Sequence, residues 1–367
     1  MSQGPHPMRE QITNQPTVLR ALLARQDEIA DIVAHAASGT ERIWAVGHGD
    51  SFFAPLAAAA AFGRWTRLPY RPLLAQEMAA YPPSGLDAAA LVIAISISGG
   101  VGRTIDAGQA ARSSGARVLA ITNTPGSPLT HVADDTILLR IAEPAAFLAG
   151  TVTYTASVLV LMMIALLLDP GEPRGLVQAP AGSTTAGHVG GLSALGHALT
   201  VLEAAVATEL VIRESVVPLA GARAWHVLGM GCQEATARYG AAKMAEVADA
   251  IGIAHETEEF FHEHHWVMTK DDAVVMIAHD EPSRRRSTAA AAHLRELEIP
   301  VWLIGGDAVD GVRHVPLEDV DSWASPLPAA VPPQWLAYWL SRAKGLDPDQ
   351  RSHLRGSPRY VVSRKYR

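Results

Sequence analysis

Ala45 to Ser51 read AVGHGDS, and 182 positions later Val227 to Gln233 read VLGMGCQ. Each is a short apolar run ending in a glycine-punctuated turn. Leu91 to Ser96 (LVIAIS) is matched, again 182 positions on, by Ala273 to Ala278 (AVVMIA). Val118 to Thr122 (VLAIT) is matched 183 on by Val301 to Gly305 (VWLIG). Three buried-strand signals kept in register mean that one α/β unit occurs twice in the chain. A strand running into a Gly-rich turn and a helix gathers backbone N–H groups at a helix N-terminus, a place suited to anions.

Outward from these runs, strands are expected at Ile43 to Val46, Leu91 to Ser96, Val118 to Thr122 and Thr136 to Arg140. In the second repeat they are expected at Ala224 to Gly229, Ala273 to Ala278, Val301 to Gly305 and Arg313 to Val315. Helical stretches such as Phe52 to Trp65 and Thr104 to Ser113 fill the gaps. Strand and helix alternate and the strands are apolar throughout, which predicts α/β domains, each a parallel sheet covered by helices on both faces in three layers. An apolar stripe over Met8 to Ser38 predicts helix, split in two at Pro16. A helix is expected over Leu192 to Glu209, and a closing one over Gln334 to Lys344 ends at Gly345. The expected organisation is a helical segment over 1–40, domains over 41–170 and 192–350, a Pro- and Gly-rich linker over 171–191 and an Arg-rich tail over 351–367.

With 49% hydrophobic content in 367 residues the chain has enough apolar material for two cores. Its net charge of -7 and pI near 6.1 supply no basic stripe, so nucleic acid is not expected as a partner. The lone Cys232 excludes an intramolecular disulfide and suits a reducing cytoplasm. Its place in a Gly turn admits a catalytic thiol, but a small buried residue fits better. Met1 to Pro7 is short and polar, unlike a secretory signal. Val158 to Leu168 (VLVLMMIALLL) falls well short of the roughly 20 residues that span a bilayer. It reads as a helix buried on all sides, and no membrane partner is expected.

Six stretches in order resemble the tandem-domain form of the SIS (sugar isomerase) family. They are MREQITNQP (Met8 to Pro16), GHGDS (Gly47 to Ser51), ISISGG (Ile95 to Gly100), ITNTPGSPLTHVADD (Ile121 to Asp135), GTVTYT (Gly150 to Thr155) and LSRAKGLDPDQ (Leu340 to Gln350). The likeness is to the isomerase half of glucosamine–fructose-6-phosphate aminotransferase and to fructosamine-phosphate deglycases. It implies two tandem SIS domains, no metal and no cofactor. The substrate is then a sugar phosphate or amino-sugar phosphate, and the assembly a homodimer. No glutaminase domain precedes the stretches, so no ammonia source of the chain's own is expected.

The resemblance places the phosphate loop at Ser96, Ser98 and Gly99, with Gly49, Ser51 and Thr151 at further phosphate- or sugar-contacting positions. Two hydroxyls beside exposed N–H groups at a helix start hold a dianion through neutral donors. A Ser before Gly equally makes a plain turn. The family's polar residue, Thr and Ser are here Ile97, Val101 and Gly150, each a donor lost at about 0.5–1.5 kcal/mol. The second repeat's turn reads AHDE (Ala278 to Glu281), whose carboxylates repel a phosphate.

Glu246 in GAAKMAEVADA (Gly240 to Ala250) and His262 in ETEEFFHEHHW (Glu256 to Trp266) match the family's catalytic Glu and His, sixteen residues apart. A carboxylate shielded by Ala and Met rises in pKa from about 4.3 and serves as base and then acid for C1–C2 proton transfer. An imidazole near pKa 6.5 exchanges a proton with the ring oxygen. Against this stand an exposed Glu246 paired with Lys243, and a solvated His262. Glu259 matches a supporting Glu, while Glu263 and His264 replace the family's Gly-Pro. HEHH (His262 to His265) with Glu258 and Glu259 suggests a metal site, but Trp266 stands where the zincin pattern needs its second His. Arg355 and Lys365 are the tail's candidates for a closing lysine of the family. The reading is isomerisation, deamination or deglycation on an open-chain sugar, with a non-catalytic sugar-phosphate sensor as the alternative.

Overall fold

The computed structural model describes residues 6–142, 149–168, 188–350 and 357–358. By backbone proximity these fall into two bodies: one holds residues 17–142, 153–168 and 188–196, the other residues 6–16, 149–152, 197–350 and 357–358.

The first body is built on a five-stranded sheet, β1 (Arg42–Gly47), β2 (Tyr70–Leu74), β3 (Ala90–Ile95), β4 (Arg117–Thr122) and β5 (Asp135–Leu138). The order is β2-β1-β3-β4-β5 and every pairing is parallel. The second body repeats this with β6 (Trp225–Gly229), β7 (Gly252–Glu256), β8 (Ala273–Ala278), β9 (Val301–Gly305) and β10 (Arg313–Val315), in the order β10-β9-β8-β6-β7. Read from either edge the two orders are the same, so the duplication seen in the residues is a duplication of topology. β3 and β8 are buried at every residue, because a central parallel strand has helices on both faces.

Edge strands β2 and β7 lay outside the sequence expectation. Their residues are mostly half-exposed and lack the continuous apolar run that marks the central strands. The early helices are α1 (Pro7–Leu23) and α2 (Gln26–Ala36), and the break falls at Ala24–Arg25 rather than at Pro16. A proline cannot donate to the carbonyl four residues back. Here the side-chain amide of Gln15 donates to that carbonyl, Ile12 O, at 3.1 Å, and the helix runs on.

The remaining helices of the first body are α3 (Asp50–Trp65), α4 (Ala75–Ala80), α5 (Gly102–Ser113), α6 (Pro128–Val132) and most of α7 (Val152–Leu168). In α7, Val152 to Leu166 are buried, as the apolar run demanded. α8 (His188–Val206) opens in the first body, taking in residues 188–191 of the expected linker; 171–187 lie outside the described residues, as does the tail apart from Ser357 and Pro358. The second body continues with α9 (Glu209–Val216), α10 (Gln233–Ala248), α11 (Thr257–His262), α12 (Glu281–Glu296), α13 (Pro326–Ala329) and α14 (Val331–Ala343). Among the described residues no single helix is long and apolar enough to cross a membrane.

Candidate functional site

In the first body two turns leave the C-terminal ends of neighbouring strands. After β1, Gly49 takes φ +54 as α3 begins, and the Ser51 N–H closes the turn on His48 O at 3.1 Å. After β3, the carbonyl of Ile97 ties the chain to the end of β4. That oxygen accepts from the Asn123 N–H (2.9 Å), the Thr122 hydroxyl (3.0 Å) and the Thr124 hydroxyl (3.3 Å). Gly99 then turns at φ +61, donating to Ser96 O and accepting from the Leu129 N–H, both at 2.9 Å.

This second turn holds donors in reserve. Among the described residues the N–H groups of Ile97, Ser98, Val101, Gly102 and Arg103 have no acceptor, and Val101 gives α5 no side-chain cap. The Ser98 hydroxyl is exposed and accepts from the Gly100 N–H at 3.3 Å. Ser96 is buried, and its hydroxyl has no hydrogen-bond partner among the described residues. Buried polar groups are nearly always paired, so an orphan beside open N–H groups makes this turn a candidate place for an anion.

The second body has the same turns filled with its own side chains. Asp280 caps α12 by accepting from the Ser283 N–H at 2.9 Å. Gln233 donates to the Ser325 hydroxyl at 2.7 Å, and buried His279 sits between the carbonyls of Ser325 and Glu318. The Cys232 thiol contacts Ser322 O at 3.2 Å, and burial together with Asp280 pushes it up to about 12. A thiol held protonated is no nucleophile, so Cys232 is a packing residue.

Glu246 lies on α10, partly exposed, with Oε2 2.5 Å from the Lys243 ammonium. Its surroundings therefore depart from the apolar shield expected of Ala and Met. Lys243 is the buried member, 1% exposed, with its ammonium 5.3 Å from the centre of the Tyr239 ring. Tyr239 donates to Gly150 O (2.8 Å) and accepts from Gln334 (3.1 Å), which in turn accepts from Gln15 (2.8 Å). A polar chain through the core thus anchors the helix turn that presents Glu246.

The other expected residues are placed differently. Thr151 is buried in the second body and donates to Gln11 at 3.1 Å. His262 ends α11 with its side chain 69% exposed, 3.8 Å from Glu258. Glu259 is also exposed, its N–H donating to the Glu256 carboxylate that caps α11. HEHH does not gather: His264 faces His255 at 4.3 Å between ring centres, and His265 faces Trp266 at 4.1 Å. Among the described residues no three His, Cys, Asp or Glu stand where they could hold a metal ion.

The SIS domain family matches residues 38–167 and 219–308, one segment for each sheet. The chain belongs to the SIS domain family. It is 28% identical over 371 residues to a glutamine–fructose-6-phosphate aminotransferase (isomerizing) of Aeropyrum pernix, covering 95% of this chain and 56% of the relative. The chain thus spans little more than half the length of the curated relatives it matches. Among solved structures, the C-terminal domain of glucosamine-fructose-6-phosphate aminotransferase from Francisella tularensis superposes with a TM-score of 0.83 at 18% identity, covering 95% and 100% of the two chains. Tagatose-6-phosphate ketose/aldose isomerase from Escherichia coli gives 0.73 at 19%, covering 93% and 94%.

Within this SIS chain, sequence reasoning missed three features. Lys243 was weighed only as a surface partner; the signal was its place among Ala, Met and Tyr on one helix. Ser127 is 4% exposed, its hydroxyl is a second orphan among the described residues, and it lies against Gly99. His226 and His255 are buried on β6 and β7, with Nδ1 of one 2.9 Å from Nε2 of the other.

The histidine pair is expected to make the fold acid-sensitive. Burial, then the neighbouring rings of His226 and His264, pushes His255 down to about 4, and burial also lowers His226. Between pH 6.5 and about 4 the unfolded chain takes up protons that the folded chain refuses. Stability is therefore full above pH 6.5 and falls as pH drops towards 4, by on the order of 2 kcal/mol. Melting curves from pH 7.5 to 4.5 should show this loss, and His255→Gln should flatten it; an equally steep loss in the variant would remove the pair as its source.

Proposed function

We propose that the chain is a sugar-phosphate or amino-sugar-phosphate enzyme that moves a proton between C1 and C2 of the open-chain sugar, in isomerisation, deamination or deglycation. The observation that carries this reading is the turn after β3, with its open N–H groups and the orphaned Ser96 hydroxyl. It takes the phosphate through Ser96, Ser98 and Gly99, supported by the Gly49–Ser51 turn. Glu246 is the base, positioned by Lys243. His262 exchanges the ring-oxygen proton, Glu259 supports it, and Thr151 belongs to the sugar-contacting set. The lone Cys232 and the chemistry fit a cytoplasmic enzyme.

Ser98→Ala should weaken fructose 6-phosphate binding at least several-fold, one charge-assisted bond being worth about 1.5–3 kcal/mol. Titration calorimetry giving an unchanged affinity would move the phosphate elsewhere.

The active form is proposed to be a homodimer in which His262 serves the neighbouring chain. The exposed His262, together with Trp266 (76% exposed) and Val267 (64%) just after it, supports this. Mixing inactive Glu246→Gln with inactive His262→Asn should then restore part of the activity. A fully active monomer by light scattering would refute it. The same exposure of His262 favours the second reading, a sugar-phosphate sensor without catalysis, which the isotope experiment in the Discussion separates.

A further inference from the structure

We propose that Arg103 is a specificity-determining anion contact, reaching from the first turn of α5 to the phosphate held after β3 and setting the preference for charged over neutral sugars. The inference rests on the phosphosugar reading and assigns to that site a residue outside its hydroxyl-and-backbone donor set.

A helix N-terminus carries partial positive charge and is stabilised by acidic residues in its first turn. The other long helices that follow strands satisfy this: Asp50 opens α3, Glu234 lies in the first turn of α10, and Asp280 with Glu281 opens α12. α5 alone among these four has no acidic residue there, and carries Arg103 as its second residue. A cation set on a positive helix end is disfavoured unless an anion sits between them.

Two buried hydroxyls at the turn support an anion there. The hydroxyls of Ser96 (1% exposed) and Ser127 (4% exposed) lack hydrogen-bond partners among the described residues. Ser127 Oγ is pressed on the turn, 1.9 Å from where a β-carbon on Gly99 would stand. Arg103 is also close enough to the other turn for its charge to act on His48, whose pKa burial and then Arg103 lower. The His48 ring is turned so that Nε2 accepts from the Gln76 N–H at 3.1 Å. Arg103 itself is about half exposed and uses Nη1 on Asp106 Oδ2 at 2.7 Å. A guanidinium has five donors, and its planar fork suits phosphate oxygens. The charge offsets the side-chain donors missing at Ile97 and Val101.

The test is titration calorimetry of the full chain with fructose 6-phosphate, fructose and inorganic phosphate. Arg103→Gln should weaken both phosphate probes about tenfold or more and leave fructose unchanged. Arg103→Lys should retain part of the affinity, and the difference between wild type and Arg103→Gln should shrink as salt is raised. An unchanged phosphate affinity in Arg103→Gln, with Ser98→Ala weakened, overturns the role of Arg103 and leaves the phosphosugar reading standing. Absence of saturable binding of either phosphate probe to the wild type overturns both.

Discussion

Glu246→Gln is expected to slow the entry of solvent deuterium at C1 or C2 of the sugar by about 10²–10⁴-fold while leaving the sugar bound. The amide keeps the size and hydrogen bonding of the carboxylate and removes its basic oxygen. In the wild type that oxygen stands 2.5 Å from an ammonium that is itself buried. The substitution removes one charged partner of the buried Lys243, so a stability loss on the order of 1–3 kcal/mol accompanies it, moderated because Glu246 is partly in solvent. Folding and binding are therefore measured first, and exchange is followed by NMR only where the sugar site is saturated. Exchange at the wild-type rate would remove Glu246 as the base. A wild type that binds sugar phosphates across a panel without any exchange would favour the sensor.

The second large effect is expected at Gly99. An alanine β-carbon there would lie 1.9 Å from Ser127 Oγ and 2.4 Å from Ser127 Cβ, on a backbone at φ +61. The left-handed conformation alone costs a non-glycine residue about 1–2 kcal/mol. Relieving the clash requires the turn or the Ser127 segment to shift, which disturbs the bonds of Gly99 with Ser96 and Leu129. With the donor nest displaced, Gly99→Ala should lose sugar-phosphate affinity by about 10²-fold, as two charge-assisted bonds would. The double variant Gly99→Ala, Ser127→Gly removes the two short contacts, leaving Thr122 Oγ1 at 3.2 Å, and should recover part of that loss. Failure of the single variant to weaken binding would show that this turn does not hold the anion.

What the sequence by itself determined was the repeat and its central strands. β1, β3, β4, β6, β8 and β9 are legible because a strand buried on both faces must be apolar along its length, and that requirement is local. The glycine turns after β1 and β6 are legible for the same reason, since a left-handed residue is chosen by its own backbone. The pairing of Glu246 with Lys243 was visible as spacing, and which of the two is buried was not.

Only the tertiary structure decided that Lys243 is the buried member: the Tyr239 ring beside it is held by Gln334, far along the chain. It decided likewise that edge strands β2 and β7 exist, for their residues carry no apolar run and their order comes from β1 and β6 beside them. Pro16 stays inside a helix because Gln15 replaces the missing donor. Ser127 meets Gly99, and His226 meets His255, only once parallel strands bring the ends of distant segments together. Local physical chemistry is written in the order of residues, whereas the site's electrostatics arise from contacts that no window of sequence contains.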